Sequence, residues 1–260
     1  MSPAQPSPFL DTALRAAEAA EAVIRRYYQG DYQVELKADQ SPVTVADVET
    51  ERTIRGLILE AFPEHGFYGE ETGKVNAEAE YNWLIDPIDG TKSFVRHYPF
   101  FSTQIALMRG GELVLGVSNA PLFGERAWAE QGAGAWLDGE RIRVSGEQRL
   151  ERASLSLGNI ATLAAQPSRW AALGEIVQTV NRTRGYGDFY HYHLLAAGKI
   201  DAVVESDVNI LDIAALSVIV REAGGVFTDL EGRPLTLQTT SVLAAASPEL
   251  HAELLRRLAP

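Results

Sequence analysis

The sequence predicts an α+β fold, with helices and antiparallel hairpins in its first half and alternating α/β units in its second. Three observations carry this reading. Apolar residues recur at helical spacing near the start, short apolar segments broken by glycine pairs follow between Trp83 and Val144, and a strand-and-helix rhythm sets in from about residue 150. The chain has 260 residues, 46% of them hydrophobic, enough to bury a large core, so disorder is excluded as its main state. We expect two subdomains, residues 1–148 (α+β, with the antiparallel sheet) and 149–260 (α/β).

Leu10, Leu14, Ala17, Ile24 and Tyr28 mark a first helix in an alanine-rich stretch that Gly30 closes. Tyr32, Val34 and Leu36 then alternate with polar residues, as on a short strand with one wet face, before the turn-forming run Asp39-Gln40-Ser41-Pro42. Thr44 is placed to cap a second helix, with Asp47 three residues on, and Ile54, Leu57, Ile58 and Ala61 supply its buried stripe up to Pro63. Strands are expected at 83–85, 101–108, 113–117, 127–130 and 135–144, with Asp138-Gly139 as a hairpin turn. The second half reads as strand 154–157, helix 170–180, helix 189–197, strand 200–205, helix 213–223, strands 226–228 and 242–245, and a last helix from Pro248. No internal repeat or low-complexity linker separates the halves, so they are expected to pack closely.

Composition excludes several classes of function. With 23 basic against 35 acidic residues the formal net charge is -12, which disfavours nucleic acid as a partner. The chain has no cysteine, hence no disulfide, thiolate zinc site or cysteine nucleophile. No apolar run approaches the ~18 residues of a membrane helix, and the opening MSPAQPSPF lacks the segments of a signal peptide, so a cytoplasmic protein is expected. Without a secretory route the sequon at Asn181 carries no weight. Neither a P-loop, a complete dinucleotide fingerprint nor a G-x-S-x-G elbow is present.

What is present is a set of acids at element ends. Trp83-Leu84-Ile85 reads as a buried strand, at whose end Pro87 forbids further ladder pairing, putting Asp86 at the strand terminus and Asp89 in the turn beyond. Gly90 and Thr91 follow, with backbone N–H groups suited to a phosphate oxygen if a helix begins there. Glu70 falls at another strand end, after Phe67-Tyr68-Gly69, and Asp212 at the start of a strongly apolar helix. Taken singly, Asp86 and Asp89 fit ordinary turns, Glu70 a surface acid pair, and Asp47 and Asp212 helix caps. Acids at four separate element ends are harder to explain as independent caps. Such a cluster suits hard divalent cations, and a Mg²⁺ pair can clamp a phosphoryl group and generate a nucleophile from water.

Gly69-Glu70-Glu71, Asp86-Pro87-Ile88-Asp89-Gly90-Thr91 and Asp212-Ile213-Ala214-Ala215 through Glu222-Ala223-Gly224-Gly225 resemble, in order and spacing, the inositol-monophosphatase-like family of Mg²⁺-dependent, lithium-sensitive phosphatases. The resemblance spans about Leu10 to Ala246. It implies a layered α/β sandwich of the inositol monophosphatase and fructose-1,6-bisphosphatase type, a homodimer, and hydrolysis of a small phosphate monoester by direct attack of a metal-bound water. It further implies that Glu70, Asp86, the carbonyl of Ile88, Asp89 and Asp212 hold two or three Mg²⁺ ions, most of these ligands lying in the first subdomain with the second closing the site. Thr91 and Asp47 would orient the water, with Glu70 beside them in the catalytic set, while Gly90 and Thr91 offer donors to the phosphate. Lys37 either steadies these groups or is a surface lysine. The family commonly has tryptophan before the last aspartate, where this chain has Leu211, a change that bears on substrate shape.

Within the family, Ser93-Phe94-Val95-Arg96 with Pro99, and Arg182-Thr183-Arg184-Gly185-Tyr186-Gly187-Asp188, resemble the histidinol-phosphate phosphatase branch of histidine synthesis. An imidazole and an ammonium would be served by an aromatic wall and carboxylates; Asp188 and Glu205 are placed beside the amine, and Arg184 at the phosphate or the ring edge. The other reading of 182–188 is a surface loop with a salt bridge. His191 and His193, two apart on a helix, point apart and disfavour a zinc pair, and Phe189, Tyr190 and Tyr192 are read as helix packing. Inositol monophosphate, a sugar bisphosphate or a nucleotide phosphate is the rival substrate, and a catalytically silent phosphatase-like binding protein the rival class.

Overall fold

A computed structural model describes residues 6–30, 34–36 and 42–259 of the chain. Lys37 and the turn at 39–41 lie outside the described residues. Helix α1 (Pro8–Tyr28) starts at an Ser7 cap with proline at its first position, and a short pair, β1 (Val34–Leu36) and β2 (Pro42–Thr44), leads to α2 (Val45–Ala61). Strands β3 (Gly66–Gly69), β4 (Gly73–Val75) and β5 (Tyr81–Asp89) precede the single-turn α3 (Thr91–Val95). Then come β6 (Ser102–Arg109), β7 (Glu112–Ala120), β8 (Glu125–Glu130), β9 (Gly134–Leu137) and β10 (Glu140–Ile142). Asp138 and Gly139 take φ values of 51° and 82°, forming the two-residue turn expected between β9 and β10. The second half runs β11 (Ser154–Leu157), α4 (Ala161–Ala164), α5 (Pro167–Thr179), β12 (Arg182–Arg184), α6 (Tyr190–Ala196), β13 (Ala202–Ser206), α7 (Ile210–Glu222), β14 (Val226–Thr228), β15 (Ser241–Ala245) and α8 (Pro248–Leu258).

Strands β3 to β10 form an eight-stranded sheet in the order β10-β9-β8-β7-β6-β5-β3-β4, and β11 to β15 a five-stranded sheet in the order β12-β11-β13-β15-β14. The first sheet is antiparallel as expected except at β3 and β5, which pair parallel because the chain between them crosses through β4 at the edge. In the second, β12, β11 and β13 are parallel while β15 runs against both its neighbours.

Alternation along the strands sorts the core into layers. Trp83, Ile85, Ile105, Leu107, Leu115 and Val117 face α1 and α2 on one side of the first sheet. Leu84 and Ala106 face the other side, in a core shared with α6, α7 and the inner residues Val203, Phe227, Val242 and Ala244 of the second sheet. Leu155, Val204 and Leu243 turn outward onto α5 and α8. The order is helix, sheet, helix, sheet, helix, a layered α+β sandwich. Ten residues of the thirteen-residue α7 are buried, including every one from Ile213 to Val220, because this helix lies between two sheets and has no wet face.

Candidate active site

The parallel strands place the site. Asp86 and Asp89 lie at the carboxyl end of β5 and Glu70 just past that of β3, while Gly158, Gly185 and Asp207 follow the ends of β11, β12 and β13. All of them line one cavity of about 710 Å³. Ligand crevices of open α/β sheets form outside the carboxyl ends of parallel strands, and here two such sheet edges face each other.

Local chemistry fixes each acid. Strand β5 does not stop at Asp86 as the proline suggested. It continues to Asp89 through a bulge, Asp86 facing Gln104 and Asp89 facing Ser102, so that Pro87 and Ile88 oppose Thr103 alone. Pro87 is tolerated there because the bulge asks no N–H of it, while its carbonyl accepts the Thr103 hydroxyl at 2.9 Å. Ile88 N–H donates to Asp86 Oδ1 at 3.0 Å, which fixes that carboxylate. Gly90 then turns the chain into α3 at φ 92°, and a Cβ there would come within 2.5 Å of the Phe100 carbonyl, so glycine is required twice over.

Asp47 and Asp212 both complete a capping box, and Asp212 also lines the cavity. Thr44 caps α2 as expected, and Asp47 Oδ2 accepts the Thr44 N–H and hydroxyl, both at 2.7 Å. Asp47 Oδ1 lies 3.2 Å from the Thr91 hydroxyl, which is also 3.0 Å from the Ile88 carbonyl. On α7 the cap is Asn209, not Asp212, which stands three residues on and accepts the Asn209 N–H on Oδ2 at 2.9 Å. Each helix therefore begins with a reciprocal capping box; Asp212 also lines the cavity, whereas the second oxygen of Asp47 is taken by the Thr91 hydroxyl.

Electrostatics show what the cluster lacks. Carboxylate oxygens of Asp86, Asp89 and Asp212 lie within 4.8 Å of one another. Burial, then the charges of Glu70, Asp89 and Asp212, hold Asp86 well above the usual carboxylate range, and burial with Asp188 and Asp212 does the same to Asp89. Asp212 is pushed up to about 7, chiefly by burial. Asp47 is raised by burial against the donors from Thr44. Among the described residues Lys92 is the sole lysine or arginine in the lining, against seven acids. An all-oxygen set so poor in cationic partners fits a hard divalent ion, with Asp86, Asp89 and Asp212 at its centre and Glu70 and the Ile88 carbonyl on the same wall.

The opposite wall carries Tyr186, Gly187, Asp188 and Glu205, with Asp207 nearby. Asp188 takes a left-handed φ of 41° and is pushed up to about 6 by burial and Glu205, with His191 and Lys92 pulling the other way. Burial also works to raise Glu205, but His191, the Tyr192 hydroxyl and the Asn159 N–H outweigh it and hold that carboxyl low. Arg184 is not brought to the cavity. It lies on β12, an edge strand whose alternation exposes Arg182 and Arg184, and its guanidinium donates to the Thr183 carbonyl at 2.7 Å. Leu211 is buried in the core between the sheets and does not line the cavity.

The two histidines part company as helical spacing requires. His191 lies between Ser156 and Glu205; His193 lies between Ser118, at 2.9 Å, and Glu125, at 3.3 Å. Phe189 and Tyr192 are buried in the core. Sequence reasoning missed Lys92, Asn159, Asp207 and Asn209 in the lining. Asn209 carried a readable signal, a capping residue three before an acid at the head of an apolar run.

A cavity of clustered acids could hold a metal ion, and comparison with known proteins supplies the class. The model of the inositol monophosphatase family matches residues 5–259. A histidinol-phosphatase of Streptomyces coelicolor is 39% identical over 249 residues, covering 92% of each chain. An inositol-1-monophosphatase of Caulobacter vibrioides is 34% identical over 251 residues, 94% of this chain and 97% of its own. The crystal structure of the extragenic suppressor protein SuhB from Bartonella henselae matches with a TM-score of 0.88 at 32% identity, over 97% of this chain and 98% of that one. The chain belongs to the inositol monophosphatase family and is a phosphoric monoester hydrolase. Among the described residues no helix is long and apolar enough to cross a membrane.

Proposed function

We propose that the enzyme hydrolyses the phosphate ester of a small cationic alcohol, L-histidinol phosphate foremost, with two or three Mg²⁺ ions held by Glu70, Asp86, Ile88 O, Asp89 and Asp212. The ions supply charge to the phosphoryl oxygens and lower the pKa of a water. The chain's own part is orientation. Asp47 Oδ1 and the Ile88 carbonyl compete for the single Thr91 proton, which turns a hydroxyl lone pair toward the cavity, where it can accept a hydrogen bond from the attacking water and take its proton as the Thr91 proton passes to Asp47 Oδ1. Gly90 and Thr91, at the start of α3, offer N–H groups to the phosphate.

The observation that carries the substrate reading is the wall of Asp188 and Glu205, which faces the cavity with Lys92 as the one lysine or arginine in the lining among the described residues. It favours an ammonium and disfavours a second phosphate, which would meet three acids counting Asp207. The name of the Streptomyces relative supports it. Inositol phosphate is the second reading: both carboxylates can accept hydroxyls, and the Caulobacter relative bears that name.

The test is kcat/KM on L-histidinol phosphate, inositol 1-phosphate, fructose 1,6-bisphosphate and p-nitrophenyl phosphate. Histidinol phosphate should lead by tenfold or more, and Asp188→Asn or Glu205→Gln should cut that lead. A faster rate on inositol phosphate, with equal losses on charged and neutral esters, would return the site to the second reading.

A further inference from the structure

We propose that His191 is a positioning residue that ties the two halves of the acidic wall together, holding Glu205 on one side and the segment bearing Asp188 on the other, and thereby sets selectivity for a cationic substrate. This rests on the substrate reading above. The His191 side chain is fully buried on α6. Its Nδ1 lies 3.3 Å from Ser156 Oγ, and that oxygen accepts the Tyr186 N–H at 3.2 Å, which anchors the 185–188 segment to β11. Its Nε2 lies 3.3 Å from Glu205 Oε2.

Glu205 is otherwise held by the Tyr192 hydroxyl at 2.7 Å on the same oxygen and by the Asn159 N–H at 3.1 Å on Oε1. One imidazole thus joins three strands' ends: β11 through Ser156, the turn after β12 through Tyr186, and β13 through Glu205. Glu205 raises Asp188, and His191, inside the protein, works to lower both carboxyls. The other charged group near Asp188, Lys92, is exposed and belongs to the opposite wall.

A structural role alone would lower stability and all activities together. A positioning role separates them. In His191→Phe, hydrogen exchange should quicken at 158–160 and 185–188, and the ratio of kcat/KM for L-histidinol phosphate to that for p-nitrophenyl phosphate should fall by tenfold or more, mostly through KM. His191→Gln, which keeps a polar group in the same place, should recover part of the ratio and covers the case in which the phenylalanine variant fails to fold. Unchanged exchange at either segment overturns the bridge whatever the substrate is. Faster exchange with an unaltered ratio overturns the selectivity role if Asp188→Asn does change that ratio. If Asp188→Asn leaves the ratio unaltered as well, the bridge stands and the amine reading of the cavity is overturned.

Discussion

Glu51 is the residue whose loss should damage the metal site most without touching it. Its side chain is fully buried on α2; Oε2 accepts the Glu71 N–H at 2.7 Å and Oε1 the Thr72 N–H at 2.8 Å. The carboxylate fills the space over Gly69, where a Cβ would come within 2.4 Å of it. Glu70 lies between Gly69 and Glu71, so both bonds pin the loop that carries a site acid. Hydrogen bonds to a charged acceptor contribute about 1.5–3 kcal/mol each, and both N–H groups are only part-buried, so Glu51→Ala should cost about 2–4 kcal/mol. Glu51→Gln keeps one acceptor and sets an NH₂ against the other donor, for about half that loss. Urea unfolding would read the stability, and the Mg²⁺ dependence of hydrolysis the site: the half-saturating concentration should rise several-fold in both variants, and Gly69→Ala should reproduce it by displacing the same carboxylate. A Glu51→Gln protein with unaltered stability and unaltered Mg²⁺ dependence would refute the idea that this buried acid shapes the site.

Further outcomes follow from the same geometry. Asp86→Asn should lower kcat by orders of magnitude while the protein stays folded, and activity should vanish on chelation. Thr91→Ala and Asp47→Asn should reduce kcat more than KM in single-turnover kinetics; an effect confined to KM would leave Thr91 only a phosphate contact and Asp47 only a cap. Asp212, at about 7, and Asp188, at about 6, titrate in the fold far above their unfolded range near 3.9, so metal-free protein should gain stability as pH falls from 8 to 6.5 and lose it as pH rises. Mg²⁺ needs the ionised acids, so its thermal stabilisation should run the other way and be larger at pH 8. Below about 6.5 the lowered pKa values of half-buried His65 and buried His251 begin to oppose the trend, which sets the window.

Most of this architecture was legible because it rests on local chemistry. The cap at Thr44, the turn at Asp138-Gly139 and the alternation of β5 through β9 are written in residues a few positions apart. Two things were not. Pro87 reads as a strand stop because a ladder normally needs its N–H; only the partner strand, with Thr103 spanning the bulge, removes that need. Likewise 182–188 reads as a single recognition loop, but pairing with β11 makes its first part an edge strand and turns Arg184 to solvent, leaving 185–188 to face the cavity. Pairing across 28 residues is not visible in a local pattern. Glu51 went unread for the same reason, since an acid on a helix looks solvated until its neighbours are known.

A capping bond and a place in the acidic cluster do not exclude each other. Each carboxylate commits an oxygen to a donor of its own neighbourhood: Asp47 to Thr44 N–H, Asp86 to Ile88 N–H, Asp212 to Asn209 N–H. That bond fixes the carboxylate's orientation before any ligand arrives and offsets part of the repulsion among buried like charges. At Asp47 and Asp212 the helix start adds its own partial positive charge, which favours the ionised form. Asp86 and Asp212 also line the cavity, while the other oxygen of Asp47 holds the Thr91 hydroxyl. Folding energy and site geometry therefore reside in the same bonds, and a change at 47 or 212 is felt in both. Asparagine is the informative substitution at these positions because its carbonyl can keep the N–H donor, and with it the cap, while its NH₂ replaces the oxygen turned to the cavity. A large loss of hydrolysis with little loss of stability in Asp212→Asn is what that division of labour requires; equal damage to both would mean that the two oxygens act as one.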